Sequence, residues 1–398
     1  MSKKTPQIRF KGFTDDWEER KFSDFTKLSQ GLQIAISDRF TEAGPNKEFY
    51  ITNEFLNPNN TKKYYIENPS KNVIANKNDI LMTRTGNTGK VVTNTKGVFH
   101  NNFFKIDYDP QKISKLFLYF LLTSIPIQKE ILIRAGTSTI PDLNHKDFYN
   151  IKVYLPIFEE QQRIGSFFKQ LDNTIALHQR KLDLLKEQKK GFLQKMFPKN
   201  GAKIPELRFS GFADDWEERK LGDFLKTPEK VKAHIQSKDD LMTLKLNLGG
   251  LESGSNRETL ELGSTIYYKR KAGQFIYGKQ NFFNGSMAII PIDLDGKATS
   301  GDVPSLDVVG ILSEYLYAYV SRGDYWKSKE SEASGTGSKR IHEKTLQGFD
   351  IKVPSTQNEQ RKIGLFFKQI DDTIVLHQRK LDLLKGQKKG FLQKMFVS

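Results

Sequence analysis

The sequence predicts an α+β protein in which two domains of mixed α/β structure are separated by a pair of long antiparallel coiled-coil helices, with an internal pseudo-twofold repeat. The first observation is a block, Pro6–Phe25, that recurs as Pro205–Phe224. The second is that 30 of the 37 residues from Gln161 to Phe197 are identical to those from Gln360 to Phe396, at the same shift. The third is that the stretches between these blocks differ in the two copies. Two matches at one shift indicate a duplicated unit.

The duplication divides the chain into segments that alternate frame, variable domain and helix. The predicted boundaries are an N-terminal frame segment 1–25, a first variable domain 26–157, a central spacer helix 158–198, a repeated frame segment 199–224, a second variable domain 225–355 and a C-terminal spacer helix 356–398. A frame kept nearly constant around two diverged inserts indicates one scaffold that displays two specificities.

Both variable domains contain short runs of β-branched and aromatic residues separated by Gly and Asn turns. In the first domain these runs predict strands at 49–51, 90–92 and 103–106 and a helix at about 113–124. In the second they predict strands at 265–268, 274–277 and 287–290 and a helix from about Leu306 to Arg322. An α+β fold is therefore expected for each domain.

Each spacer helix has apolar residues at steps that alternate between four and three, the heptad pattern of a coiled coil. Only a short link and the frame separate the first helix from the second variable domain. The second helix is therefore expected to run back along the first, with the variable domains at opposite ends of seams that span about 50 Å. The histidines on the seams favour a buried polar pair over a metal site, because no second histidine stands at ligand spacing. The predicted seam residues are Ile164, Phe168, Leu171, Ile175, His178, Leu182 and Leu185 in the first helix and Ile363, Phe367, Ile370, Ile374, His377, Leu381 and Leu384 in the second.

The charge balance favours a polyanionic partner. The chain has 63 Lys and Arg against 47 Asp and Glu, a formal net charge of +16. Such an excess is typical of nucleic-acid binding, although a basic protein without such a partner has the same composition. The absence of cysteine excludes disulfides and thiolate zinc sites and agrees with a cytoplasmic protein. The longest strongly apolar run, near Leu116–Leu122, is too short to cross a bilayer, so no membrane partner is expected.

Polar side chains on turns are where base edges would be read, since Arg and Lys suit guanine and Asn and Gln suit adenine. Each such residue has the alternative interpretation of a solvated loop, and the grouping carries more weight than any member. Trp17 and Trp216 are identical in the two frames and cannot distinguish two half-sites, so packing or a partner surface is expected for them. The candidates for DNA contact are Thr83, Arg84, Thr85, Asn87, Lys90, Asn101, Asn102, Ser138, Thr139, Asn144 and His145 in the first domain and Lys269, Arg270, Lys271, Lys279, Gln280, Asn281, Ser338, Lys339 and Arg340 in the second.

No motif in the sequence supports catalysis or a metal site. Asn57-Pro58-Asn59 and Asn68-Pro69-Ser70 lack the second proline of the amino-methylation motif. The run Gly86–Lys90 fails as a phosphate loop, because Val91 stands where Ser or Thr would bind magnesium. A non-catalytic chain is expected.

Duplicated frames, two diverged inserts and heptad helices ending in Gln-Lys-Lys-Gly-Phe-Leu-Gln-Lys-Met-Phe resemble the specificity subunit of a type I restriction–modification system, over nearly the whole chain. The resemblance implies that the variable domains are target recognition domains, each reading one half of a bipartite, asymmetric site in double-stranded DNA. It also implies that the frames dock two methyltransferase subunits and that motor-nuclease subunits join them. S-adenosylmethionine, ATP and magnesium would then be cofactors of those partners, with none in this chain.

Two other functions remain as alternatives. A self-contained sequence-specific DNA-binding regulator predicts tight binding by the chain alone. A standalone methyltransferase or nuclease is disfavoured by the missing motifs.

Overall fold

The structure is a computed structural model that describes residues 5–199, 201–255, 265–335 and 338–397. The chain forms two compact units. The first comprises Met1–His178 and Lys380–Ser398, and the second comprises Gln179–Arg379. The boundary falls within both spacer helices, so each helix contributes one part to each unit.

In the first unit, the described strands form two four-stranded sheets and one frame pair. The sheet β2-β9-β6-β7 is antiparallel throughout, whereas β4-β3-β8-β5 contains a parallel pair, β3 with β8. Strand β1 of the frame pairs with β10, which leads into the first spacer helix. The strands are β1 (Glu18–Lys21), β2 (Thr26–Gln30), β3 (Lys47–Ile51), β4 (Tyr65–Glu67), β5 (Ile74–Ala75), β6 (Ile80–Thr83), β7 (Val91–Val92), β8 (Gly97–Phe99), β9 (Phe103–Tyr108) and β10 (Lys152–Leu155).

The helices that begin in the first unit are α1 (Lys115–Thr123), α2 (Ile125–Ala135), α3 (His145–Tyr149) and α4 (Phe158–Lys195). Pro126 lies in the first turn of α2, where its missing N–H removes no helical hydrogen bond. The main core joins the antiparallel sheet to α1 and α4 through aromatic side chains such as Phe104, Phe117 and Phe168, all fully buried. This core fixes the turns at the end of the sheet relative to the spacer helix.

The second unit repeats part of this plan and departs from it elsewhere. The sheet β12-β19-β16-β17 has the same order as β2-β9-β6-β7, and β11 pairs with β20 as β1 does with β10. In place of the second four-stranded sheet, the described residues form two strand pairs, β13–β14 and β15–β18. The strands are β11 (Glu217–Lys220), β12 (Leu225–Lys226), β13 (Met242–Leu244), β14 (Leu251–Ser253), β15 (Tyr267–Lys269), β16 (Phe275–Tyr277), β17 (Met287–Ile289), β18 (Ala298–Ser300), β19 (Ser305–Val308) and β20 (Asp350–Val353), and the helices are α5 (Leu221–Phe224), α6 (Ser313–Val320), α7 (Gly323–Ser328), α8 (Glu343–Gln347) and α9 (Gln357–Lys394).

The spacer helices α4 and α9 pair antiparallel within each unit. In the first, Phe167 packs on Phe391 with ring centroids 5.2 Å apart. Further along α4, Asp172 pairs with Lys388 at 2.5 Å, so that advancing along α4 means moving back along α9. In the second unit the equivalent contacts are Phe192 with Phe366, at 5.0 Å, and Lys189 with Asp371, at 2.5 Å. The predicted antiparallel coiled coil is confirmed.

The frame segments are tied to both spacer helices by repeated contacts. In the first unit, Arg9 makes a bidentate ion pair with the fully buried Glu160, and the backbone N–H of Ile8 donates to the carbonyl oxygen of Lys394 at 3.0 Å. In the second, Arg208 pairs with Glu359, and the backbone N–H of Leu207 donates to the carbonyl oxygen of Lys195 at 2.9 Å. The same four positions hold the frame in both copies.

The two frame tryptophans are core residues, which confirms the packing interpretation. Trp17 is 1% exposed and Trp216 is 3% exposed. Trp17 meets Phe117 edge-on at 6.2 Å, and Trp216 meets Phe197 at 6.1 Å. Neither indole is available to stack on a base.

One secondary-structure prediction differs from the structure. The helix predicted from Leu306 to Arg322 begins only at Ser313, because Leu306 belongs to strand β19. Gly310, at φ +72°, turns the backbone between strand β19 and helix α6. Helix α2 was not predicted. The helix predicted near 113–124 is confirmed as α1.

Among the described residues, no single helix is long and apolar enough to span a membrane; the bent pair α1 and α2 passes that length-and-composition test only when taken together.

Candidate nucleic-acid interface

Two of the predicted turns meet in the first unit. The turn between β6 and β7 lies against the loop that precedes α3. The backbone N–H of Leu143 donates to the carbonyl oxygen of Arg84 at 2.8 Å, and the hydroxyl of Thr88 donates to the carbonyl oxygen of Pro141 at 2.6 Å. The guanidinium of Arg84 pairs with Asp142 at 2.8 Å. The structure therefore brings residues from 84–90 and 138–145 into one cluster.

The turn between β8 and β9 completes this cluster. The backbone N–H of Arg84 donates to the carbonyl oxygen of Asn102 at 2.7 Å. Beside it, the amide of Asn101 donates to Gln33 at 2.9 Å, and the amide of Asn53 donates to the carbonyl oxygen of Thr85 at 3.1 Å. Gln33 and Asn53 were not among the predicted residues, since nothing in the sequence marks them among many similar amides.

The amide oxygens of Asn53 and Asn101 are enclosed, and neither has a hydrogen-bond partner among the described residues. An enclosed acceptor without a donor costs about 1–3 kcal/mol. Asn53 adjoins the cluster through its hydrogen bond to Thr85, and Asn101 precedes Asn102 in the β8–β9 turn.

Most predicted residues of the first unit are exposed or half-buried, but two have structural tasks. Asn87, Lys90, Ser138 and Thr139 are exposed. Thr83 is fully buried, and its hydroxyl accepts from the backbone N–H of Lys90 at 2.9 Å. Thr83 therefore stabilises the turn, and we no longer count it among the candidate DNA-contact residues. The side chain of Asn144 caps α3 by accepting from the backbone N–H of Asp147 at 2.9 Å, so its oxygen is engaged.

The two histidines of the first cluster stay neutral near pH 7. Burial lowers the pKa of His145, and the positive charge of Arg84 lowers it further. Burial also lowers the pKa of His100, with a smaller effect from Arg39. The His145 ring lies 4.7 Å from that of Phe104. A neutral imidazole has one donor and one acceptor, and the Nδ1 of His100 already accepts from the backbone N–H of Asn102 at 3.0 Å.

The second unit forms the corresponding cluster from the turn after β16 and the loop before α8. The backbone N–H of Ile341 donates to the carbonyl oxygen of Lys279 at 2.8 Å. When its amide oxygen faces Arg340, Gln280 accepts a hydrogen bond from Arg340 Nη2 at 2.8 Å. Arg340 also faces Asp302 at 3.5 Å, and Lys339 pairs with Glu330 at 2.9 Å. The predicted residues 279–280 and 338–340 thus lie together.

The prediction for Arg270 is wrong. Its side chain is buried, and its guanidinium donates to the Thr299 hydroxyl at 2.8 Å and to the carbonyl oxygens of Ser300 and Val303 at 3.1 and 3.0 Å. Burial lowers the pKa of Arg270 to about 10. A Lys-Arg-Lys run predicts a solvent-exposed arginine, but Arg270 is buried because its guanidinium binds the loop that contains Asp302.

The other predicted residues of this unit divide in two groups. Lys269 and Lys271 are exposed, and no described hydrogen bond or ion pair joins them to the cluster. Asn281 shapes the β16–β17 turn: its carbonyl oxygen accepts from the backbone N–H groups of Asn284 and Ser286, both at 3.0 Å. We assign it a structural task.

The seam residues behave as the heptad pattern predicts. All fourteen are buried or partly buried, including His178 and His377. No group of three or more potential metal ligands occurs in the part of the chain that the structure describes. The fold and the two clusters define a two-site recognition protein, in which one duplicated scaffold presents a different set of hydrogen-bonding side chains in each unit.

Comparison with known proteins identifies the family. The model of the type I restriction modification DNA specificity domain matches residues 14–187 and again 213–385, and the chain belongs to this family. It is a type I restriction–modification specificity subunit with two target recognition domains. Such subunits recognise DNA and are not catalytic, and membership implies DNA and the methyltransferase and restriction subunits of such a system as partners.

The relatives agree in length and fold. The chain is 24% identical over 407 residues to the type I restriction enzyme MjaVIII specificity subunit of Methanocaldococcus jannaschii, covering 95% of this chain and 91% of that protein. It is 24% identical over 308 residues to the putative MjaX specificity subunit of the same organism, covering 73% of this chain and 69% of that one. The solved S subunit from M. genitalium is 15% identical, covers 99% of both chains and has a TM-score of 0.68, which shows the shared fold.

Proposed function

We propose that the chain reads a bipartite, asymmetric DNA sequence, with one half-site for each recognition domain. The observation that carries this proposal is the combination of a repeated sheet order with non-repeated polar clusters. Both units place a turn of the same antiparallel sheet against the loop before a short helix, but the side chains at that place differ. Two different sets of donors and acceptors favour two different half-sites, because hydrogen-bond patterns on base edges specify sequence.

The spacer helices would set the number of unread bases between the half-sites. Helices α4 and α9 each contain 38 residues, about 57 Å at 1.5 Å per residue. One turn of B-DNA is about 34–36 Å. Each helix passes from one unit into the other and is bound to its partner in both by an aromatic contact and an ion pair. Helix pairing in both units favours a spacing set by helix length over an unstructured linker.

The frames would dock two methyltransferase subunits, which motor-nuclease subunits then join. Asp15, Asp16 and Glu18 are exposed, and so are their counterparts Asp214, Asp215 and Glu217 in the second copy. Because the same exposed residues occur twice on one chain, the surface suits two copies of a single partner. The partners would bring S-adenosylmethionine, ATP and magnesium.

The decisive experiment maps methylated adenines across the genome with and without this gene, in a strain that supplies the partner subunits. We expect methylation at one bipartite, asymmetric motif that disappears with the gene. A symmetric motif, a single continuous motif or no dependence on the gene would contradict the proposal. Tight specific binding by the purified chain without methyltransferase would favour the regulator instead, and the mass of the intact complex tests the two-methyltransferase stoichiometry.

A further inference from the structure

The two recognition domains share a backbone junction that their sequences do not reveal. In the first unit, the N–H of Arg84 donates to the carbonyl oxygen of Asn102, and the carbonyl oxygen of Arg84 accepts from Leu143. In the second, the N–H of Lys279 donates to the carbonyl oxygen of Asp302 at 2.9 Å, and the carbonyl oxygen of Lys279 accepts from Ile341. Leu143 and Ile341 are both fully buried. These hydrogen bonds make the two junctions equivalent residue by residue.

The equivalence matches three exposed or partly buried positions in one domain with three in the other. Arg84 corresponds to Lys279, and Asn102 corresponds to Asp302. The residue before the buried anchor is Asp142 in the first domain and Arg340 in the second. The arginine and its carboxylate therefore stand at different positions in the two junctions: Arg84 pairs with Asp142, whereas Arg340, at the position of Asp142, faces Asp302, at the position of Asn102.

Each junction thus carries one arginine that a carboxylate holds in place at the surface. The side chain of Arg84 is 19% exposed and that of Arg340 is 38% exposed. Asp142 accepts from Nη2 of Arg84, and Gln280 accepts from Nε and Nη2 of Arg340. No hydrogen bond described in either junction uses Nη1, so the end of each guanidinium is left for a ligand. A held guanidinium presents two parallel N–H groups at low entropic cost.

We propose that Arg84 and Arg340 each select a guanine, one in each half-site, and that residues 84, 102 and 142 and their counterparts 279, 302 and 340 are specificity-determining positions. This inference rests on the proposed function. Arg bidentate to the O6 and N7 of guanine is the commonest specific contact in the major groove. Because the arginine stands at a different corner of the same junction in each domain, the guanine is read at a different place in each half-site.

The test measures binding of the complex with its methyltransferase subunits to DNA libraries in which every base of both half-sites is varied. Arg84→Ala should lower the preference for guanine at one position of one half-site by roughly 5- to 150-fold and leave the other half-site unchanged. Arg340→Ala should do the same in the other half-site. Lys146→Ala and Lys344→Ala remove an exposed charge at equivalent places beside each junction and serve as controls. The control variants should weaken binding to all sequences alike.

A variant that keeps the fold guards against loss of structure. Asn102→Asp places in the first domain the residue that the second carries at the same junction, and it should change preference at the same base as Arg84→Ala without lowering the thermal midpoint. Unchanged base preference, a uniform loss at all positions, or loss at both half-sites together would overturn the assignment. If the unmodified chain shows no bipartite site, the proposed function fails; if it does and these variants keep the guanine preference, only the junction assignment fails.

Discussion

The close approach of each recognition domain to its spacer helix depends on a glycine, and replacing it should destabilise the protein. A Cβ on Gly165 of α4 would lie 2.6 Å from Leu116 Cβ and 2.8 Å from the backbone nitrogen of Phe117. On Gly364 of α9 it would lie 2.9 Å from both Glu314 Cβ and the backbone nitrogen of Tyr315. Backbone atoms cannot rotate away, so α1 or α6 must shift on the spacer helix.

The expected magnitude comes from two opposing terms. Alanine in place of glycine stabilises a helix interior by about 1 kcal/mol, and overpacking costs about 1–3 kcal/mol. Gly386 provides the matched control, because nothing lies within 4 Å of its Cβ position and the first repeat has Glu187 at that place. Gly386→Ala should therefore stabilise the chain. Gly165→Ala should be less stable than that control by about 1–3 kcal/mol.

Urea unfolding of the two variants and the unmodified chain measures this difference. Thermal midpoints give a second reading, since about 1 kcal/mol moves the midpoint of a unit of this size by roughly 2–4 °C. Gly364→Ala should behave as Gly165→Ala does. Should Gly165→Ala stabilise the chain as much as Gly386→Ala, the tight seating of the domains on the helices would be refuted.

Four further predictions concern recognition, spacing and stability. Exchanging residues 26–157 for another recognition domain should change one half of the methylated motif, and a change in both halves would contradict modular reading. Deleting residues 177–183 together with 377–383 removes one heptad from each antiparallel helix, about 10 Å, and should shorten the gap between half-sites by roughly three base pairs; a constant gap in the methylation map would reject a spacing set by helix length. Arg208→Met leaves Glu359 buried without its partner and should cost about 3–5 kcal/mol in urea unfolding, most of it recovered in the double variant with Glu359→Met; equal losses in both would show that the pair is not coupled. The pKa of His145 is lower in the folded chain than the ordinary 6.5, so the unfolded chain binds more protons and stability should fall as the pH drops below about 6.5; His145→Gln should reduce that fall in unfolding measured from pH 7.5 to 5.5, and an unchanged slope would rule His145 out as a cause.

The frames and spacer helices could be predicted because their signal is internal to the sequence. The repeat gives two independent copies of each contact position, and the heptad steps mark the seam residues in both helices. The antiparallel direction followed from chain connectivity. Fewer elements of the variable domains could be predicted, because their strands are short. A run such as Leu306-Asp307-Val308 fits a strand or the start of a helix equally well.

The candidate interface was predictable as a set of turns and less so as individual residues. That the turn at 84–90 meets the loop at 138–145 depends on backbone hydrogen bonds between residues more than 50 positions apart. Burial of Arg270 depends on three acceptors in the loop 299–303, which the local sequence cannot show. Gln33 and Asn53 can be recognised as part of the candidate interface only from their hydrogen bonds to Asn101 and Thr85. Tertiary contacts decide which polar side chains remain available.

The hydrogen bonds of Ile8 to Lys394 and of Leu207 to Lys195 place each frame against the end of a spacer helix in the same manner. In one case a short covalent link also joins the two pieces, and in the other the join is non-covalent. The order of the two reading halves along the polypeptide is therefore arbitrary with respect to the fold. A rearranged chain that linked Lys394 to Ile8 covalently and left Lys195 and Leu207 unlinked would keep the same contacts, so either order of the two recognition domains is compatible with the scaffold.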